Sequence, residues 1–121
     1  MPKTLDVTDL DLTSATCCPP LSSRPALDAG TALEVAVRLK TLADPIRLQV
    51  VSLLLCAPDK ELRTSDIAPA VGIKDATVSH HLKQLLAAGV VSKRREGMNV
   101  YYRAERGALR GLARVLNVGS R

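Results

Sequence analysis

Three cysteines, Cys17, Cys18 and Cys56, are the side chains of this sequence best suited to chemistry of their own. A thiolate is a soft ligand and a nucleophile, and an adjacent Cys pair in a polar stretch has no packing reason to exist. The count is odd, and residues 1–16 are acidic without an apolar run, so nothing there reads as an export signal. The expected location is cytoplasmic, where thiols stay reduced; the three cysteines then point to metal, metalloid or redox chemistry rather than to a disulfide framework. Cys56 taken alone, on an apolar helix, also fits a small buried hydrophobe. His80 and His81 are neighbours on a helix and diverge by about 100°, so the two cannot converge on one ion from within it. His80 is expected to face outward and His81 to be a partly buried structural residue. No phosphate-cradling glycine loop, Ser-His-Asp order or paired acid–base carboxylates occur, so neither an enzyme nor an organic cofactor is expected.

The second chemistry is recognition of a polyanion. Between Ile73 and Val91, Val78, His81, Leu82 and Leu85 recur at helical spacing, leaving Thr77, Ser79, His80, Lys83 and Gln84 on the other faces. Asp75 is expected to cap this helix and Gly89 to end it in a left-handed turn. A short helix over Arg63 to Val71 precedes it across Gly72, giving helix, tight turn, helix, the supersecondary unit that reads DNA. The charge agrees: residues 1–37 carry two basic and five acidic side chains, net −3, whereas residues 38–121 carry fifteen and seven, net +8. Charge alone would equally serve a membrane surface or an acidic protein, and the helix-turn-helix pattern decides for nucleic acid.

These side chains need a frame. The hydrophobic fraction is 46%, with no Phe or Trp and two Tyr, so the core must be aliphatic and suits packed helices. The length of 121 residues corresponds to one domain. Residues 1–27, with Pro19, Pro20 and Pro25, read as an extended, mobile arm. A first helix is expected over Leu27 to Leu42 with Arg38 and Lys40 on its wet side, and a nearly all-apolar second helix starts at Asp44-Pro45, interrupted mainly by Arg47 and Gln49. The third helix begins near Thr64 or Ser65 and contains Pro69, which predicts a short or distorted element. After the reading helix, Val91–Arg95 and Val100–Arg103 predict two strands joined at Glu96–Asn99, a basic wing. Glu105 to Val118 predicts a last helix with Leu109, Leu112, Val115 and Leu116 along one side and arginines opposite. The longest apolar run, Val50 to Ala57, is broken by Ser52 and too short to span a bilayer, so no membrane partner is expected. The fold class is mainly α with a small β-hairpin: a dimeric winged helix-turn-helix over residues 28–118, followed by a tail at 119–121.

The segments Leu39-Lys40-Thr41-Leu42-Ala43-Asp44-Pro45-Ile46-Arg47-Leu48, Thr77-Val78-Ser79-His80-His81-Leu82, Ala88-Gly89-Val90-Val91, Arg95-Glu96-Gly97 and Val100-Tyr101-Tyr102 together resemble the ArsR/SmtB family of dimeric winged-helix repressors. The resemblance covers about residues 36–118. It implies a homodimer that binds double-stranded operator DNA and leaves it on binding a metal ion or metalloid. In that reading Thr77, Ser79, His80 and Gln84 approach base edges, Lys74 and Lys83 hold phosphates, and Arg94 and Arg95 reach the backbone or minor groove from the wing. Leu33 and Val37 of the first helix and Leu109, Leu112 and Leu116 of the last would form the dimer interface.

The family has no single sensing site. Its helix-three site needs a Cys-x-Cys pair where this chain has Leu62-Arg63-Thr64-Ser65-Asp66-Ile67, and its last-helix zinc site needs His with Asp or Glu, whereas Glu105 to Val118 has one Glu and no His. Cys17-Cys18 with Cys56 resembles the arsenite sensors that pair two N-terminal thiols with a third after the Asp-Pro helix. The implied inducer is As(III) or Sb(III), thiophilic centres that take three thiolates in a pyramid. Cadmium, lead or thiol oxidation remain alternatives for the same three cysteines, and a small metal-handling chaperone or enzyme is the reading from a different class.

Overall fold

In the computed structural model, residues 19–22, 25–57 and 61–118 are described. Five helices and one hairpin follow in the order α1 (Ala29–Leu42), α2 (Pro45–Cys56), α3 (Thr64–Val71), α4 (Asp75–Ala87), β1 (Val91–Glu96), β2 (Asn99–Ala104) and α5 (Arg106–Leu116). Cys17 and Cys18 lie outside the described residues. Among those described, no helix is long and apolar enough to cross a membrane.

Local chemistry sets the boundaries. Asp28 caps α1 by accepting from the Thr31 N–H at 2.7 Å, so the helix starts two residues later than its apolar pattern suggests. Asp44 accepts from the Ile46 and Arg47 N–H groups, and Pro45 at the first helical position has no N–H to satisfy. Asp66 accepts from the Arg63 N–H at 3.0 Å to start α3, which contains Pro69 and ends after eight residues at Gly72, φ 80°. Asp75 is not the cap expected of it. It is the first helical residue of α4, behind Lys74, and acts as an acidic group in the turn where the helix dipole is positive. At the other end the Gly89 N–H donates to Leu86 O and the Val90 N–H to Leu85 O, with Gly89 at φ 74°, which closes the reading helix in a Schellman turn and releases the chain into β1.

The core is aliphatic: Val35 of α1, Val50 and Leu54 of α2, Ile67 of α3, Val78, Leu82 and Leu85 of α4, and Leu112 and Val115 of α5 are buried together. Leu112, expected at the edge of a dimer, is 4% exposed within its own chain. Ala108, Leu112 and Val115 form the inward stripe of α5, so the open apolar side carries Leu109, partly buried, and Leu116, 54% exposed. Arg38, expected on the wet side of α1, is 0% exposed: its Nε–H points at Ala88 O, 3.4 Å away, at the negative C-terminal end of α4.

The hairpin is antiparallel, pairing Val91 with Ala104 through Glu96 with Asn99 across a turn at Gly97 and Met98. Leu62 adds a bridge on the outer edge of β2, its N–H and C=O exchanging bonds with Tyr102 at 2.9 and 2.8 Å. The wing is therefore fastened to the segment that follows α2. The helix-turn-helix α3–α4 with this wing is a winged helix-turn-helix.

Candidate nucleic-acid interface and thiol site

On α4 the core takes Val78, Leu82 and Leu85, so the spacing of 3.6 residues turns Lys74, Thr77, Ser79, His80 and Lys83 outward, all exposed, with Gln84 half-buried at the helix flank. These exposed side chains are polar or cationic, which gives a convex ridge with donors and acceptors for base edges and two ammonium groups for phosphates. Gln84 also borders a groove of about 600 Å³ between α1 and α4, lined on the α1 side by Leu33, Ala36, Val37 and Lys40.

His81 sits differently from His80. It is half-buried, and its Nδ1 accepts from the Arg47 Nε–H at 3.1 Å, while Arg47 Nη1 donates to Thr41 O at 3.2 Å. In that bond Nδ1 is the acceptor, which leaves Nε2 as the ring nitrogen turned away from Arg47. Arg47 thereby joins the end of α1, the start of α2 and the middle of the reading helix. The Arg47 N–H, first of all, holds the Asp44 carboxyl below the usual range. The sign follows from a lowered folded value: the contribution of Asp44 is complete above its ordinary 3.8 and is lost as pH falls through the folded value. Arg47→Met keeps the stem and removes both side-chain bonds; it is expected to lower the unfolding free energy by roughly 1.5 to 3 kcal/mol in urea denaturation. An unchanged midpoint and slope would discard the network as a support of the reading helix.

On the wing, Lys93 and Arg95 alternate with Arg94 and lie on the opposite face of β1. Lys93 and Arg95 are exposed, and Met98 at the tip is 97% exposed. Arg94, expected at the DNA backbone, is engaged within the chain. Its Nε and Nη2 donate to the Glu61 carboxylate at 2.8 to 3.1 Å, its Nη1 donates to Glu96, and its guanidinium lies 4.7 Å from the centre of the Tyr101 ring. The Arg94 side-chain bond holds the Glu61 carboxyl below its ordinary range, and Glu61 raises the Arg94 guanidinium in turn.

Cys56 is the last residue of α2, and it is exposed. It is not the buried hydrophobe that an apolar helix suggests. Arg106 Nη2 donates to Leu55 O at 3.0 Å, binding this end of α2 to the start of α5. At the other end of α5 the Leu21 N–H donates to Val115 O at 2.9 Å, which fixes where the N-terminal arm joins the body. Among the described residues no three His, Cys, Asp or Glu side chains come together as a metal site. A three-ligand site built on Cys56 would have to draw on the remaining residues or on a second copy.

Sequence reasoning missed Arg38, Arg47 and Glu61 as positioning groups. The sequence carried a signal only for Arg47, through the joint occurrence of Asp44-Pro45-Ile46-Arg47 and Ser79-His80-His81, whose contact spans 34 positions.

The model for bacterial regulatory proteins of the arsR family matches residues 44–93. The arsenical resistance operon repressor of Staphylococcus aureus is 31% identical over 85 residues, 70% of this chain and 79% of the repressor. Four further curated regulators are matched over 52% to 65% of their own length, so this chain spans little more than half of them. The solved structure of the AntR antimony-specific transcriptional repressor superposes with a TM-score of 0.64 at 33% identity, covering 77% of this chain and 83% of that one. The homodimeric winged helix-turn-helix DNA-binding domain of a possible ArsR-family regulator from Mycobacterium bovis gives 0.61 at 35% identity, covering 75% and 84%.

Proposed function

This chain belongs to the ArsR family of bacterial regulatory proteins, and from that premise we propose that it is an arsenite-responsive transcriptional repressor, binding an inverted-repeat operator as a homodimer and leaving it when Cys17, Cys18 and Cys56 bind As(III) or Sb(III). The observation that carries the reading is the exposed Cys56 at the end of α2, a thiol open to an outside partner where a packing role would have buried it. The relatives named for arsenical resistance and for antimony agree with this chemistry. Arsenous acid exchanges three hydroxyls for three thiolates, each thiol giving its proton to a leaving hydroxyl and releasing three waters. Oxidation states do not change, so the exchange needs no redox partner.

In this reading Thr77, Ser79, His80 and Gln84 read base edges, Lys74 and Lys83 hold phosphates, and Arg95 with Lys93 reaches the backbone beside the wing. Dimerisation through the open apolar sides of α1 and α5, with Leu33, Val37, Leu109 and Leu116, sets the two reading helices on one face of the duplex, about one helical turn apart.

The test is a release assay with a palindromic duplex and reduced protein. Binding is expected to be sequence-specific and to weaken steeply with salt. Sodium arsenite in reducing buffer is expected to release the duplex, and peroxide is not. Release by cadmium or lead alone would move the inducer to those ions, release by peroxide alone would make the cysteines a redox switch, and no specific binding would remove the repressor reading altogether.

A further inference from the structure

The wing is braced from base to tip. Toward its base the main chain of Leu62 exchanges two hydrogen bonds with Tyr102 of β2. Midway along β1, Arg94 donates to Glu61 outside the hairpin and to Glu96 within it, and lies over the ring of its cross-strand neighbour Tyr101. At the tip Glu96 pairs with Asn99, which leaves Gly97 and Met98 as a two-residue turn. Gly97 takes φ 63°, a left-handed value that lets so short a turn follow the twist of its strands. The side chain that this frame holds outermost is Met98, 97% exposed; the other exposed large hydrophobics among the described residues, Leu21, Leu48, Leu116 and Val118, are 50% to 61% exposed. We infer that Met98 is a wedge, entering the minor groove beside each half-site and partly unstacking one base step there. The inference rests on the repressor reading of α4 and the wing, and adds to it a preference for sequence that unstacks easily.

Reach favours the minor groove. β1 leaves directly after the turn that ends the reading helix, and its six residues at about 3.3 Å each make a strand of roughly 20 Å. The major groove read by α4 is about 12 Å wide, so a hairpin of that length passes the phosphate wall and meets the neighbouring minor groove. Single exposed apolar side chains are common on protein surfaces. This one stands at the tip of a DNA-binding hairpin, where turn chemistry favours Gly, Pro, Asn, Asp or Ser and Gly97 already meets the need.

The chemistry of the tip agrees. Met is unbranched and polarizable and fills irregular gaps, and it is among the side chains that minor-groove proteins insert between bases. Lys93 and Arg95, exposed on one face of β1, are placed for the phosphates that flank the groove. Glu96, the carboxylate nearest the tip, lies on the opposite face and is held by Arg94. Unstacking a step costs energy that a yielding tip would not recover, and the braced hairpin resists yielding. Pyrimidine–purine steps open most easily and A-tracts are stiff, so the wedge favours TA or CA over AA at one fixed distance from each half-site. The symmetry of the dimer repeats that preference on both sides.

The full-length reduced protein and its Met98→Ala, Met98→Gln and Met98→Leu variants would be compared on a duplex that the parent selects from a randomised pool. Aminopurine, whose fluorescence rises when it unstacks, would be scanned through the half-sites and their flanks. Position 98 is open to solvent, so all three variants are expected to fold like the parent. The parent and Met98→Leu are expected to raise the fluorescence at one symmetric pair of positions, and Met98→Ala and Met98→Gln are not. Met98→Ala and Met98→Gln are expected to lose roughly 5- to 30-fold in affinity, a buried Met less the cost of unstacking. Their salt slope should match the parent's, because no phosphate contact is removed. Changing the unstacked step to AA should weaken the parent about tenfold and Met98→Ala less than about twofold. Parental affinity in Met98→Ala, fluorescence that still rises with it, or equal penalties for AA in the two proteins would overturn the inference. A loss accompanied by a shallower salt slope would overturn it as well. A parent that selects no sequence from the pool would sink the repressor reading, and the wedge with it.

Discussion

Cys56→Ser is expected to leave operator binding within a few-fold of the parent and to abolish release by arsenite. The thiol is exposed, so the substitution opens no cavity and leaves no buried hydroxyl without a partner. Serine offers a neutral hydroxyl at physiological pH and cannot replace one of three soft thiolate bonds. Coupling free energies between two sites are typically about 1 to 3 kcal/mol, or roughly 5- to 150-fold in affinity, and that whole factor should vanish. Reciprocity gives an independent check, since operator DNA must weaken arsenite binding to the parent by the same factor. Cys17→Ser and Cys18→Ser are expected to behave alike. If any one variant released operator normally, its thiol would not be a ligand.

The two ends of α5 suggest which subunit supplies which thiol. The arm meets the body where Leu21 bonds Val115, while Cys56 lies beside Arg106, nine helical positions away. At 1.5 Å per residue that is about 14 Å along the helix. Cys18 precedes Leu21 by three residues, a reach of about 10 Å when fully extended. An arm serving its own Cys56 would have to span that length with those three residues. The expected arrangement is Cys17 and Cys18 of one protomer with Cys56 of its partner. Mixing the Cys17→Ser/Cys18→Ser protein with the Cys56→Ser protein should then rebuild one complete site per heterodimer; within-subunit ligation would rebuild none.

The helices and the wing were legible because each depends on a local signal. Asp44-Pro45 marks the start of α2, Gly89 the end of α4, and the apolar spacing of Val78, Leu82 and Leu85 the buried side of the reading helix. His80 outward and His81 inward follow from the same spacing. Errors occurred where a residue's position depends on a distant partner. Arg38 looks like a wet-side charge until the carbonyl end of α4, 50 positions later, is brought against it. Likewise the bonds of Arg94 to Glu61, 33 positions earlier, could not be read from the basic run on β1. In α5 the apolar residues form two adjacent stripes, and spacing alone cannot say that Ala108, Leu112 and Val115 face inward while Leu109 and Leu116 face away. That choice is made where α5 packs against α1.

That split gives the clearest test of the dimer. Leu116→Glu is expected to convert the protein to a monomer at micromolar concentration and to cut operator affinity by roughly 10² to 10⁴, because a lone reading head loses the effective concentration that tethering to a second one provides. Leu116 is 54% exposed within one chain, so the carboxylate has water in the monomer and would be buried only between copies. The neighbouring stripe supplies the control. Leu112→Ala removes a core side chain that is 4% exposed and should cost about 2 to 5 kcal/mol of stability at any protein concentration. Sedimentation separates the two: the Leu116 variant should stay folded and run as a monomer, with a melting point that no longer rises with protein concentration. A Leu116→Glu protein that still sedimented as a dimer and bound operator at full affinity would move the interface away from the open side of α5. The two reading helices would then need another surface to hold them one helical turn apart.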